Sequence, residues 1–384
     1  MLVGQLVKIG AACAIMSFAL SVLIIWSQKW HGRLSHDHDL NGVQKFHPAA
    51  VPRIGGVAVI AGMLLGICAI VYLYPGEVKE SRFSRILMLL VASLPAFVAG
   101  ITEDVTKKIS VTVRLVATVC SALCASALLG ATVNELDIWG IDSLLALTPV
   151  ALIVTAVVVA GGANAVNIID GFNGLSGCVI VIMAAALGLV AWHAGDEFVT
   201  MLSVLCVGAT FGFLLVNFPT GKLFLGDGGA YFCGFWVSEI AVLLLVRDAS
   251  VNAWQVLSIC AFPIIEVLFS MYRRKVIKNG SVGAPDALHL HTLIYRRVVS
   301  RFVSHDPVRV WRRNAAVTCV MIPWIAAAAA VSVVAGGTIP GAVAIVLCQL
   351  AIYIVVYGRL VRGRWSARSG SPLISREKAN AEAS

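Results

Sequence analysis

The chain has 384 residues, of which 59% are apolar and 13% charged, with a mean hydropathy of +0.90 and a formal net charge of +9. That balance excludes an ordinary soluble domain and points to an all-α polytopic integral membrane protein, because helices satisfy their own backbone groups in lipid. The surplus positive charge is split among short stretches beside apolar segments, so it reads as membrane topology and affinity for phosphorylated ligands or anionic lipid, and no nucleic-acid partner is expected.

Eleven spans, each of roughly 18 to 23 residues and enough to cross about 30 Å of hydrocarbon, are predicted at 5–27, 54–74, 84–101, 111–131, 143–162, 174–194, 199–218, 228–246, 252–272, 315–335 and 339–361. The first reads as a retained helix and not a secretory signal, since only Lys8 precedes its core and no small-residue cleavage site follows. Pro149 is expected to interrupt the fifth. Cysteine occurs in nine of the spans and in no polar loop, which suits small packing residues better than disulfides or metal ligands. One multi-span membrane domain, 1–361, and a flexible polar tail, 362–384, account for the chain.

Of the 29 Lys and Arg, 23 lie in the odd-numbered gaps between spans or from Arg359 onward, and five lie on the other face (Lys8, Lys79, Arg82, Arg85, Arg247). The asymmetry predicts cytoplasmic odd gaps, a cytoplasmic C-terminus and an N-terminus outside. Every stretch that looks chemical falls in an odd gap. If each span crosses once, those stretches share one face.

The first gap carries Lys45-Phe-His47 and then Pro52-Arg53-Ile-Gly55-Gly56; Arg53 sits at the interface, where topology alone would also explain it. The third carries Glu103-Asp104-Val-Thr-Lys107, adjacent carboxylates that disfavour ionising together unless a cation intervenes. A solvated charge cluster is the alternative. Arg114, one turn inside the fourth span, is within reach of a phosphate or snorkels. The fifth gap reads Asn164-Ala-Val-Asn167-Ile-Ile-Asp170-Gly-Phe-Asn173-Gly174, amides and a carboxylate spaced by three before a helix N-terminus, a cradle for a polar ligand. The seventh, Phe224-Leu-Gly-Asp227-Gly-Gly, is either a turn or a site in which Asp227 holds Mg²⁺. The ninth holds Pro285-Asp286 and His289-Leu-His291, with no cysteine or third histidine to make a zinc site. Inside spans, Glu266 follows Pro263, where a broken helix would line a groove; Glu239 and His193 receive no role.

In this order, and between eleven spans, these motifs resemble the polyprenyl-phosphate N-acetylhexosamine-1-phosphate transferases of the MraY/WecA type, glycosyltransferase family 4. The resemblance covers roughly residues 40 to 300, and its most specific part is the Asn/Asp/Gly segment. It implies a bacterial inner-membrane enzyme with a cytoplasmic site, which moves a sugar 1-phosphate from a UDP-N-acetylhexosamine to polyprenyl phosphate and releases UMP. It further implies Mg²⁺, with Mn²⁺ as an alternative, and leaves a homodimer open.

By position, the resemblance makes Asp227 the main metal ligand with Asp104 and Asn167 beside it, and Phe224 a stacking partner for uracil. Asn164, Asn167, Asp170 and Asn173 then bind nucleotide, and Lys107, with Arg53 and Arg114, contacts phosphate. Glu103 and Asp104 stand near the metal and the lipid phosphate, and His289 and His291 near the sugar end. Glu103-Asp104 replaces the family's usual Asp-Asp, and Thr292 follows His291 where many members continue with histidine. The second departure, with Pro52-Arg53, points to the WecA/WbpL-like branch that starts O-antigen or similar polymers, with transfer of phospho-N-acetylmuramoyl-pentapeptide as the runner-up. Direct attack by the lipid phosphate is favoured, and a two-step route through a carboxylate phosphoanhydride stays open. A secondary transporter is the rival from another class, disfavoured because the polar groups sit at one interface and no repeat is visible.

Overall fold

The computed structural model describes residues 3–35, 50–73, 82–277, 288–304, 306 and 308–363. Apart from a one-residue bridge at Pro52, the regular structure among these is helical. In chain order the helices are α1 (Val3–Ser35), α2 (Gly55–Leu73), α3 (Arg82–Thr106), α4 (Val111–Leu129), α5 (Ile141–Leu145), α6 (Thr148–Ile169), α7 (Leu175–Ala194), α8 (Glu197–Asn217), α9 (Gly226–Arg247), α10 (Ala253–Ile259), α11 (Ala261–Tyr272), α12 (Leu290–Ile294), α13 (Ser300–Phe302), α14 (Trp311–Ala335) and α15 (Ile339–Val361).

Ten of these are long and apolar enough to cross a membrane, and α10 with α11 makes an eleventh if the pair is one span bent by 82°. Ten of the eleven predicted spans are met by single helices among the described residues, and the ninth, 252–272, falls on the bent pair. The bend falls at Cys260, with Pro263 in the first turn after it, where the ring costs no interior hydrogen bond. Pro149 likewise opens α6 at its N-terminus instead of interrupting it.

Helix α9 is the hub. It packs against α2, α3, α6, α7 and α8, and every residue from Gly226 to Leu244 except Ser238 is buried. Hydrophobicity does not draw helices together in lipid, so close approach rests on small residues. A Cβ on Gly100 of α3 would meet the Gly228 backbone at 2.6 Å, one on Gly56 of α2 would strike Gly229, and one on Gly234 would meet Ala163 of α6 at 2.6 Å. The outer helices instead present Leu64, Val98, Val116 and Leu347 outward, as lipid-facing surfaces do. All ten cysteines are free thiols.

Five helices overrun their predicted ends on the side of the polar motifs, α1 (to Ser35) and α14 (from Trp311) among them. Helix α3 continues to Thr106, α6 to Ile169, and α9 starts at Gly226. Hydropathy marks the hydrocarbon, not the helix, and a helix that projects into the interface keeps its hydrogen bonds while its side chains turn polar.

The α3–α9 crossing gives a direct expectation. Gly100→Val should push α3 off α9 at a cost of about 1–3 kcal/mol, the usual penalty of overpacking. The thermal midpoint of the detergent-solubilised protein should fall; an unchanged midpoint would contradict the close crossing.

Candidate active site

The first residues of α9 leave backbone N–H groups without intrahelical partners, and a carboxylate from another helix takes two of them. Asp104, on the last turn of α3 and 0% exposed, accepts from Asp227 N at 2.9 Å through Oδ1 and from Gly228 N at 2.8 Å through Oδ2. The helix dipole adds to this contact. Gly226, with φ +75°, makes room: a Cβ there would fall on the Arg53 carbonyl and, at 2.6 Å, on Asp104 Oδ2.

A second tie fixes the approach to α9. Phe224 N donates to Pro52 O, Gly55 N to Phe224 O and Gly56 N to Leu225 O, each at 2.9 Å. This pairing holds Arg53 over the helix end, with Nη2 3.1 Å from Asp227 Oδ1 and Nε 3.6 Å from Asp104. Arg114 of α4 closes an ion pair with the other Asp227 oxygen. Its guanidinium also lies over the Tyr231 ring, whose hydroxyl donates to Asn164 Oδ1 at 3.2 Å. Asn167 Nδ2 donates to Asp227 Oδ1 at 3.1 Å. Asp227 is thus a nearly buried carboxylate with two guanidinium groups and an amide directed at it.

Asn164 and Asn167 occupy the last two turns of α6, and Asp170 is its C-cap. Residues three apart share a helix face, so the cradle forms at the C-terminal end of α6, not at the N-terminus of α7 as its glycines suggested. Asp170 accepts from the Ser176 hydroxyl. Desolvation pushes its carboxyl up to about 6, against the opposing pull of Ser176 and Arg53.

These groups meet His289 and His291 across a cavity of about 240 Å³, whose wall includes Arg53, Asn167, Asp170 and Asp227. The two imidazoles stack with centroids 5.2 Å apart and 10° between planes, and Phe172 packs against His291 at 5.5 Å. Odd gaps one, five, seven and nine therefore contribute to one concave site, with gap three supplying Asp104 directly beneath it.

Other predicted residues stand elsewhere. Asn173, expected at the nucleotide, is 1% exposed. Its N–H donates to Asn314 Oδ1 at 2.6 Å, its Nδ2 to Pro219 O at 2.9 Å, and its carbonyl accepts from Thr318 at 2.7 Å. It ties the loop to α14, a scaffold place that a short polar motif does not distinguish from a ligand contact. Glu103 turns away from Asp104 and accepts from Ile109 N at 2.7 Å; successive residues on a helix point about 100° apart, so adjacency does not make them a pair. Lys107 is exposed just beyond α3 with φ +57°. Phe224 contributes its backbone and, like Asn164 and Arg114, does not line the cavity. Lys45, His47 and Asp286 lie outside the described residues. The sequence reading missed Ser176 and Phe172. Ser176, three residues past Asn173 and six past Asp170, offered a signal as a hydroxyl opening a span.

Among the described residues no three His, Cys, Asp or Glu side chains are grouped to hold a metal by themselves. Mg²⁺ does not require that: it commonly takes one or two carboxylates and completes its shell with water and substrate phosphates. Asp227, Asp170 and the amide oxygen of Asn167 supply hard oxygen donors at one cavity wall, and they fit such an ion. Asp104 does not fit as a direct ligand, because it is shielded from the cavity and both its oxygens face backbone N–H groups.

Residues 86–245 match the model of glycosyl transferase family 4. The chain is similar to the probable undecaprenyl-phosphate N-acetylglucosaminyl 1-phosphate transferase of Bacillus subtilis, 28% identical over 252 residues that make up 65% of this chain and 66% of that protein. It is also similar to the undecaprenyl-phosphate alpha-N-acetylglucosaminyl 1-phosphate transferases of Salmonella typhi, 28% identical over 85% of this chain and 84% of that one, and of Escherichia coli K12, 26% identical over 67% and 69%.

The two adjacent carboxylates should separate on substitution. Asp104→Asn places an amide donor against a backbone donor and should cost about 1–3 kcal/mol of stability, whereas Glu103→Gln keeps an acceptor for Ile109 and should stay within about 0.5 kcal/mol of wild type. Thermal midpoints in detergent measure both; the reverse order would contradict the capping role.

Proposed function

We propose that this chain is a glycosyl transferase family 4 enzyme that transfers N-acetylglucosamine 1-phosphate from UDP-N-acetylglucosamine to undecaprenyl phosphate, giving undecaprenyl-diphospho-N-acetylglucosamine and UMP. In a cell this would initiate O-antigen or another envelope polysaccharide. The observation that carries the reading is the cavity in which Arg53, Asp227 and the two histidines converge at the ends of membrane-spanning helices. The excess of Lys and Arg in the same gaps supports a cytoplasmic face of the bacterial inner membrane for it.

The reaction joins two anions, so its barrier is dominated by charge. An oxygen of the lipid phosphate attacks the phosphorus bonded to the sugar, the bond from that phosphorus to the bridging oxygen of UMP breaks, and UMP leaves with the electron pair. Arg53 neutralises the phosphates as charge shifts, and Arg114, behind the cavity wall, balances Asp227; Asp227 is the carboxylate that would hold Mg²⁺ with Asn167 and Asp170. When bound, Mg²⁺ neutralises the donor's diphosphate and polarises its phosphoryl oxygens. His289 and His291 face the sugar-phosphate end. A lipid phosphate is largely ionised near neutral pH, so the attacking oxygen needs no strong base, and Glu103 and Asp104 are left to structure.

Purified protein with UDP-N-acetylglucosamine, undecaprenyl phosphate and Mg²⁺ should release UMP, and a panel of UDP-sugars should show the N-acetylglucosamine donor as preferred. Asp227→Asn should lower turnover by at least about 100-fold, since a catalytic metal supplies several kcal/mol. Full activity in that variant, or no UMP from the wild type, would defeat the assignment.

Asp170 adds a pH dependence. With its carboxyl raised to about 6, it is an anionic acceptor above that pH and neutral below it. KM for the donor should therefore rise as pH falls through about 6, and Asp170→Asn should flatten the profile; a wild-type KM constant from pH 5 to 8 would remove Asp170 from the binding set.

A further inference from the structure

Behind the histidine wall lies a carboxylate that the chemistry above leaves unused. Glu266, in the second turn of α11, is 1% exposed. Its Oε1 accepts from His289 Nδ1 at 2.9 Å and from Leu290 N at 3.1 Å, while its Oε2 accepts from the hydroxyl of Tyr353 in α15 at 3.0 Å. Tyr353 is itself 1% exposed and is wedged between Phe269 and Tyr357, at centroid distances of 5.3 and 6.1 Å.

A carboxylate buried in a membrane helix is costly and is a functional candidate by default. Here its hydrogen bonds converge on one ring. An ionised carboxylate only accepts, so the proton on the Glu266 side of the imidazole resides on Nδ1, and the ring held in this way is part of the cavity wall. The parallel ring of His291 blocks one face of His289, and the Leu290 amide bond to the same Glu266 oxygen fixes the backbone beside it. His289 is therefore held at three points before any ligand arrives.

We propose that Glu266 and Tyr353 are positioning residues that lock His289 in the tautomer and rotamer in which its ring meets the diphosphate of the sugar-nucleotide donor. The inference rests on the transferase reading for the identity of that ligand. Its physical content is pre-organisation: Tyr353 orients Glu266, Glu266 orients the imidazole, and the ring pays no rotational entropy on binding.

The test is a double-mutant cycle on full-length protein, read as kcat/KM for UDP-N-acetylglucosamine at saturating undecaprenyl phosphate. Glu266→Gln should lose on the order of 100-fold, the scale of a misplaced catalytic group. Tyr353→Phe should lose about 3- to 10-fold, one hydrogen bond's worth. In a His289→Asn background neither change should cost more than about twofold further. Penalties that multiply in that background would show Glu266 acting apart from His289, as a simple tether of α11 to α15 would, and would overturn the proposal; wild-type kcat/KM in Glu266→Gln would do the same. Should Glu266→Gln fail to fold, Tyr353→Phe carries the cycle alone, and a wild-type rate there is equally fatal. A wild-type protein that binds UDP-N-acetylglucosamine without releasing UMP sinks only the transferase reading, and the same cycle is then read in Kd. One that neither binds nor turns over overturns both.

Discussion

The site depends on one contact, the Asp104 carboxylate on the first amides of α9. Helix N-termini need acceptors, and at a membrane boundary the choice of acceptor decides what the helix end can do. Had water or a local side chain capped α9, Asp227 would be free to swing. With Asp104 taking the amides of Asp227 and Gly228, the Asp227 backbone is immobilised and its side chain is directed to the cavity. Glycines 226 and 229 are the steric condition of that contact, because a Cβ at 226 would fall on the Arg53 carbonyl and on Asp104, and one at 229 would meet Gly56 of α2 at 2.8 Å.

Charge balance follows from the same geometry. Asp227 with Arg53, Arg114 and Asn167 forms a neutralised, partly dry cluster. Such clusters are weak sources of stability, since desolvation offsets the Coulomb gain. In the proposed reaction their value would lie in exchange: Arg53 would leave the carboxylate for a phosphate at small net cost, and the carboxylate would then accept a cation arriving with that phosphate. A site that must take up a charged donor and release a charged product benefits from such interchangeable partners.

How much of this was legible in the sequence varies with the physics behind each signal. Spans were readable because hydrocarbon thickness imposes a long apolar run; ten are single helices and the ninth falls on the bent α10–α11 pair. The convergence of the odd gaps followed from parity, and Arg53, Asn167, Asp170, Asp227, His289 and His291 do share one cavity. The roles of Asp104 and Asn173 were not legible: both bond to backbone atoms far along the chain, at Asp227 and Pro219, and no local pattern encodes such partners. Helix ends were misplaced wherever polar residues stayed helical past the hydrocarbon, as Asn164 and Asn167 do in α6. Glu266 gave a signal, a charge inside a span, but its target depended on the bend at Cys260.

That bend explains why the ninth span differs from the rest. A straight helix from Ala253 to Tyr272 would present one stripe along its whole length. The 82° turn between α10 and α11 instead separates two tasks. Helix α10 packs against α14 and α15, anchored by Asn252 and Gln255, which donate to carbonyls at the end of α14. Helix α11, redirected, packs against α6 and carries Glu266 to the residues that line the cavity. Gln349 of α15 donates to Ser258 O at 2.9 Å, occupying a carbonyl next to the break that an unbroken helix would have bonded internally. The lost backbone bonds are thus replaced from neighbouring helices, the condition under which a membrane tolerates broken helices, and the gain is a histidine wall supported from within the bundle and not from a loop alone.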